Sequence, residues 1–452
     1  AAAFTAAALF AVHPVMTQAV GYVSGRSEVL CASFFFGALL TGRRWLLTGG
    51  AVWWLSTCLF WIASLLTKET GVMLPLVLLV IDRLMFDAAT DDRRRRWLRL
   101  HMPLLVVAAL GTAARVAVFV NLEQADGLAI QWRAVLDAAI VLWRSVWLLL
   151  LPTGQSIFHE VVPVASVFEP RALLSVAGVA LMLLMAWRAR RRWPIASLGV
   201  VWFLLLLLPS SGLMVLGPIG DMAEHRLYLA CGGPFLMGGA LVGWLSSRPQ
   251  PQGASLWWIA AGLLLAVVLP LAGRTLLRNA MWSSPVAIWS EAVEQAPGHW
   301  LPRTVLGESL HEAGRHDEAV AAHRAALALR PSEESIYLKL GYCLAELRRF
   351  DEATATFEQL RAIKPRSATA LAGFGIVAMM SGHPDEARSL FHDAIARDAR
   401  SVLARQWLAV LEEDIAGNSA EALRLCEEIQ HLSPGGLGIA ECMRRNRARL
   451  GR

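Results

Sequence analysis

Three short polar stretches interrupt a largely apolar sequence, and each carries side chains that could hold a phosphorylated substrate. "HPVMTQAVGYVSGRSEVL" (13–30) contains His13, Arg26 and Glu28. "TKETG" (67–71) contains Lys68 and Glu69, and Lys68 is the only lysine in the first 284 residues. "DMAEHRLYL" (221–229) contains Glu224, His225, Arg226 and Tyr228. Arginine, lysine and histidine at such positions can contact an anion such as a phosphate. Each residue also has a plainer reading. Arg26 either pairs with Glu28 or snorkels to headgroups, or it holds an anion beside free helix amides. Lys68 and Glu69 either form an interface anchor or a phosphate contact. Asp221 and Glu224 have the spacing of a capping box, which leaves His225, Arg226 and Tyr228 as the contacts to a sugar or anion. His159 and Glu160, in "LPTGQSIFHEVVP", read as a polar loop.

His13 stands before Pro14, which biases it away from helical geometry, and Ser24 is positioned to cap the helix that follows. "GALLTG" and "GGPFLMGG" are glycines in apolar helices, suited to close packing rather than to cradling phosphate. The six cysteines show no CxxC spacing, so the sequence supports neither a disulfide framework nor a zinc site, and no metal ligand set is expected. No Walker A, GxGxxG, HExxH or GxSxG element occurs.

The elements that must position these residues follow from composition. The chain of 452 residues is 56% hydrophobic, and its mean hydropathy is +0.48. Residues 1–284 carry net +9 and residues 285–452 net −3, which implies two solvents and two domains. The fold class expected is all-α: a polytopic membrane domain followed by a tetratricopeptide repeat solenoid. Apolar runs at 1–12, 27–41, 45–66, 70–86, 98–120, 134–151, 171–187, 194–216, 227–246 and 255–277 suggest about ten spans over residues 1–280. Basic loops at 91–99 and 188–193 should face the cytoplasm. Three runs lie between them, so one is not a simple crossing; 134–151, with Asp137 and Arg144, is the choice. The loops at 13–26, 67–69, 152–170 and 209–226 then share the outer side.

Beyond Arg278 a 34-residue period appears: Gly307, Gly341 and Gly375; Ala319, Ala353 and Ala387; Pro331 and Pro365. That is the tetratricopeptide pattern. Phe357 and Phe391 share a packing position with His323. Residues 281–298 read as a half-repeat linker, 299–435 as repeats, and 436–452 as a basic tail; the unit at about 402–435 needs one inserted residue near "AGNS".

In this order, "LFAVHPVMTQAVGYVSGRSEVLCASFFFGALL", "KETGVMLPLVLLVIDRL", "LLLPTGQSIFHEVVP", "LPSSGLMVLGPIGDMAEHRLYLA" and the repeats resemble the transmembrane and tetratricopeptide repeat-containing protein O-mannosyltransferases and their bacterial relatives. The resemblance implies a glycosyltransferase of the C superfamily. Such an enzyme moves a mannose-like sugar from a polyprenyl phosphate to a protein hydroxyl, with no nucleotide sugar and no further cofactor. Membrane lipid and a repeat-bound protein or peptide are the implied partners, with no nucleic acid. It places His13, Arg26, Glu28, Lys68, Glu69, Glu224, His225, Arg226 and Tyr228 on the active-site side, in a bacterial inner membrane with periplasmic repeats. Gln18 stands where relatives often carry Glu, a poor position for acid–base work. The family's acidic outer loop would lie upstream of Ala1, so the expectation is a chain shortened at its N-terminus, inactive as it stands, with its catalytic base unassigned. The alternative is a non-catalytic, membrane-anchored repeat scaffold for envelope assembly.

Overall fold

A computed structural model describes residues 2–86, 89–118, 133–216, 222–247, 256–434 and 438–451. Among them the regular structure is helical, apart from one isolated bridge between His159 and Met222. Two compact units divide the chain at Ser284 and Pro285.

The first unit contains α1 (Ala2–Val12), α2 (Thr17–Gly21), α3 (Arg26–Thr48), α4 (Ala51–Thr67), α5 (Leu74–Met85), α6 (Thr90–Arg96), α7 (Met102–Val118), α8 (Arg133–Leu150), α9 (Pro170–Ala189), α10 (Pro194–Leu216), α11 (Leu227–Ala230), α12 (Gly232–Ser246) and α13 (Leu256–Met281). Among the described residues the expected apolar runs are mostly helical, but the 45–66 run is broken at Gly49 and Gly50, where α3 ends and α4 begins. Among the described residues four helices are long and apolar enough to cross a membrane: Val23–Thr48, Thr90–Val118, Pro170–Ala189 and Ala261–Met281. Two bent pairs raise this to six if each counts as one span, with bends of 56° at His13 and 50° between α11 and α12. Ala51–Thr67 and Pro194–Ser210 are apolar but shorter. Length and composition alone therefore stop short of ten crossings.

Close backbone contact holds the middle of this unit together. A Cβ on Gly233 would lie 2.4 Å from the Gly199 carbonyl oxygen, so α10 and α12 can cross at that distance only with glycine. Trp202 on α10 donates from Nε1 to the Leu229 carbonyl (2.9 Å), and its ring stacks on Phe36. At the far end of α3, Asp82 accepts from Arg96 (2.7 Å) and His101 (3.0 Å), while Arg96 also reaches the Leu46 carbonyl. The basic stretch at 91–99 is thus only partly a solvated loop: Arg96, the last of its four consecutive arginines, neutralises a buried acid on α5.

α8 is one continuous helix, yet a polar loop lies along it. Asp137 accepts from the Val164 amide (2.8 Å) and Arg144 donates to the Gly154 carbonyl (3.0 Å). A helix facing lipid on all sides would not have such a neighbour.

The second unit contains α14 (Pro285–Gln295), α15 (Trp300–Glu312), α16 (His316–Leu329), α17 (Glu334–Glu346), α18 (Phe350–Ile363), α19 (Ala368–Met380), α20 (Pro384–Arg397), α21 (Val402–Val410), α22 (Ser419–Leu432) and α23 (Ile439–Arg449). The expected linker at 281–298 is cut by the unit boundary, because α14 packs as a half-repeat on α15. In the first three hairpins a ring from the second helix presses on a glycine of the first: His323 on Gly307, Phe357 on Gly341 and Phe391 on Gly375. The fully buried Phe357 ring is held between Gly341 and Gly373, where added Cβ atoms would come within 2.3 and 2.2 Å of it.

The inserted residue of the fourth repeat is a π-turn at Leu411–Ile415, a few residues before "AGNS". It takes up one extra residue, so Gly417 follows Gly382 by 35 positions rather than 34. With that offset, Cys426 falls at the position of Phe391.

Two expectations are corrected here. Within the expected 436–452 tail, α23 packs on α22, and Arg445 and Asn446 bind the buried carboxylate of Glu413. A disulfide joins Cys426 to Cys442. Its spacing of 16 has no motif, because the bridge depends on two helices folding back on each other rather than on local sequence.

Two stability predictions follow from these repeats. Gly314, Arg348 and Gly382 occupy one position, and all three have positive φ (75°, 59° and 90°). Only glycine adopts this conformation without strain. Arg348→Gly should raise the stability of the repeat unit by about 1 kcal/mol, read by denaturant unfolding. His323 is buried with Nδ1 unpartnered, and burial, reinforced by nearby His311, pushes its imidazole down to about 4. In the unfolded chain it titrates near 6.5. Its contribution to stability is therefore complete above about pH 6.5 and is lost as pH falls toward about 4, by up to about 1.4 kcal/mol per pH unit. His323→Phe, the residue type of the next two repeats, should flatten that part of the melting-temperature profile.

Candidate functional site

The loops that carry the polar motifs meet at one end of the first unit. Glu28 lies in the first turn of α3 and is 2% exposed. Its carboxylate sits 3.4 Å from Lys68 Nζ and 3.5 Å from the Thr70 hydroxyl. Lys68 Nζ also lies 3.5 Å from Ser27 Oγ. The cation that neutralises Glu28 is therefore Lys68, across 40 positions of sequence, and not the nearby Arg26.

Arg26 is the first residue of α3, exposed, with its Nε donating to the Val20 carbonyl (3.4 Å). Ser24 does not cap this helix: Gly25 occupies the cap position, and the Ser24 carbonyl accepts from Ser27 instead. Glu69 is exposed beside Lys68.

Glu224 is 1% exposed and fully engaged. Its Oε1 accepts from the Ser156 amide (2.7 Å) and His159 Nε2 (2.8 Å), and its Oε2 from Gln155 Nε2 (3.0 Å). This corrects the capping-box reading, whose other half, Asp221, lies outside the described residues. The carboxylate faces the 151–170 loop, not its own helix end. It also corrects the reading of His159 as incidental loop polarity, since His159 donates to a buried acid 65 positions away.

His13 is likewise committed. Its Nδ1 accepts from the Val15 amide (3.3 Å), so Nε2 carries the proton that it donates to the Leu149 carbonyl (3.0 Å). Neither nitrogen is left for a phosphate, and His13 instead joins the bend after α1 to the end of α8. Tyr228 faces the core, edge-on to Phe10 with centroids 5.0 Å apart, and not the polar cluster. His225 donates from its backbone amide to the Gln18 side-chain oxygen (2.5 Å), and its Nδ1 lies 3.2 Å from the same atom. Gln18, unsuited to acid–base work, is thus a positioning residue.

Arg226 differs from these. It is half-buried, and its backbone amide donates to the Ala223 carbonyl (3.2 Å); among the described residues its guanidinium has no hydrogen bond or close ion pair, yet it acts electrostatically on both Glu28 and His225, as does Lys68. Of the nine residues expected at the site, the structure gathers Arg26, Glu28, Lys68, Glu69, His225 and Arg226 around one polar end. It assigns His13 and Glu224 to the scaffold beneath and Tyr228 to the core. Within this cluster Arg26 and Arg226 are the cations with no carboxylate partner among the described residues, and an oxyanion between fixed cations is what such a cluster can stabilise. Among the described residues no group of three or more His, Cys, Asp or Glu side chains is arranged to hold a metal ion.

Sequence reasoning missed Gln155, Ser156, Thr70 and Ser27. Their signal is weak, since each becomes recognisable only through a partner dozens of positions away.

Tetratricopeptide repeat models match residues 310–373, and 272–334 with 373–436. Over 400 residues the chain is 25% identical to Protein O-mannosyl-transferase Tmtc3 of Drosophila melanogaster, covering 75% of this chain and 42% of that protein. Over 406 residues it is 25% identical to Protein O-mannosyl-transferase TMTC1 of Homo sapiens, covering 75% and 43%. The chain spans less than half the length of these curated homologues. The tetratricopeptide protein TTC0263 of Thermus thermophilus aligns with 42% of this chain and 98% of its own, at 20% identity and a TM-score of 0.32.

Proposed function

We propose that this chain contributes the membrane core and repeats of a protein O-glycosyltransferase of the C superfamily. It would transfer a mannose-like sugar from a polyprenyl-phosphate donor to a protein hydroxyl. The observation that carries this reading is the pair of arginines, Arg26 and Arg226, which have no carboxylate partner among the described residues and lie at the same polar end as the Lys68–Glu28 pair. A scaffold needs only an anchor, whereas several charges gathered at one polar end of an otherwise apolar unit point to a task. The homologues named as O-mannosyltransferases support the reaction class.

Arg226 and Arg26 bind the donor phosphate, and Lys68 holds Glu28 while adding positive potential. The repeats bind the acceptor or a partner protein. No residue of this chain is assigned as the catalytic base. The Cys426–Cys442 disulfide suits an oxidising compartment, in agreement with repeats outside the cytoplasm of a bacterial inner membrane.

The test is sugar transfer in proteoliposomes by the protein expressed from its natural reading frame. Transfer should require a polyprenyl-phosphate sugar and fall in Arg26→Ala with folding retained. Full activity in Arg26→Ala and Arg226→Ala alike would refute the assignment. Partner binding unchanged by either variant, with no sugar consumed, would favour the scaffold.

A further inference from the structure

A cavity of about 680 Å³ opens at the far end of α3, around the turn into α4. α3 runs for 23 residues from Arg26 to Thr48, so its two ends lie about 33 Å apart, close to the hydrocarbon thickness of a bilayer, about 30 Å. The cavity is therefore remote from the cluster around Glu28. Trp45 and Trp54 line it together with Asp92, Arg95, Arg96 and Arg99. At the turn, Gly49 and Gly50 have positive φ (69° and 94°) and carry no side chain to fill it; a Cβ on Gly49 would meet nothing within 4 Å. The walls are fixed from two sides. Trp54 Nε1 donates to the Arg99 carbonyl (3.0 Å), and Arg96 donates to the Leu46 carbonyl (3.2 Å), which ties α4 and α3 to the basic stretch.

The charges are divided unevenly. Arg96 is committed to Asp82. Arg95 and Arg99, four residues apart on one helical face, are exposed, and among the described residues their guanidinium groups have no hydrogen bond or ion pair. Asp92 offsets one of these two charges, which leaves the cavity one net positive charge to be matched. Its rim is apolar: Leu47 lines it and is exposed, and Val52 and Leu98, each next to a lining residue, are exposed too. Tryptophans beside basic side chains, with apolar surface adjoining, suit the level of lipid headgroups. We propose that this cavity binds the headgroup of an anionic glycerophospholipid of the phosphatidylglycerol type. Arg95 and Arg99 hold its phosphodiester, whose single negative charge matches the site, and its acyl chains lie over Leu47 and Val52. A zwitterionic headgroup would bring its own cation beside the two arginines. The inference does not rest on the transferase reading, because no residue of the cavity belongs to the cluster around Glu28.

The test is photo-crosslinking of the whole chain in phosphatidylcholine nanodiscs that contain a trace of phosphatidylglycerol carrying a diazirine near its headgroup. Labelling should map to peptides covering 45–54 and 92–99, and unlabelled phosphatidylglycerol should compete where added phosphatidylcholine does not. Arg95→Gln with Arg99→Gln alters two exposed side chains and leaves Arg96 on Asp82. The double variant should lower labelling of these peptides about tenfold, equivalent to about 1.4 kcal/mol of binding. Arg99→Gln alone should lower it about threefold, and it gives the reading if the double variant fails to fold. Labelling unchanged in a folded variant, or equal competition by phosphatidylcholine, overturns the proposal. Inorganic phosphate competing as well as phosphatidylglycerol would assign the cavity to a soluble anion and overturn it too.

Discussion

Glu224→Ala should destabilise the first unit by about 3–5 kcal/mol, the range for removing one partner of a buried charged network. The carboxylate is the common acceptor of the Ser156 amide, Gln155 and His159. Alanine leaves all three donors buried without partners, and each orphan carries its own desolvation penalty. The consequence is local before it is global. The 151–170 loop loses its anchor to the segment after Met222, so limited proteolysis should cut within that loop in Glu224→Ala membranes and spare it in wild type. Glu224→Gln should fall between, because its amide oxygen can still accept from Ser156 while its NH₂ group opposes the remaining donors. Activity lost by Glu224→Ala therefore reports the scaffold and does not identify a catalytic acid.

Arg226→Ala should do the opposite: it leaves the fold nearly intact and removes transfer, by about 10²–10³-fold, the range for losing one preorganised donor to a developing oxyanion. Among the described residues Arg226 has no close ion-pair partner, so its removal orphans no buried carboxylate there. Arg226→Lys should recover part of the rate, since a point charge replaces the bidentate fork imperfectly. Lys68→Met gives a third pattern, because it strips Glu28 of the cation 3.4 Å away and should lower stability and transfer together. Thermal midpoint and initial rate measured on these variants separate the three roles.

The repeats were legible from sequence because a 34-residue period forces identical packing at Gly307, Gly341 and Gly375, and such self-similarity shows without an alignment. The apolar helices were legible for a comparable reason, each being a continuous local run. The polar end was legible in part. Arg26, Lys68 and Arg226 stood out because charge is expensive among apolar residues, but the sequence could not say which charges were paired. Glu28 pairs with Lys68 rather than Arg26, and Glu224 binds a loop 65 to 69 positions back, both decided by which helices become neighbours. The disulfide and the Leu411–Ile415 π-turn escaped similarly. One depends on α22 and α23 folding together, while the other places an insertion within a helix when the sequence suggested the turn after it.

The most direct test of the central claim, that this polar end binds a lipid-linked sugar phosphate, is a donor comparison. Proteoliposomes containing the protein and an acceptor peptide receive radiolabelled mannose either as polyprenyl-phosphate mannose or as GDP-mannose. The account predicts label in peptide from the lipid-linked donor only, lost on Arg226→Ala. Transfer from GDP-mannose, or lipid-dependent transfer indifferent to Arg226, would contradict it.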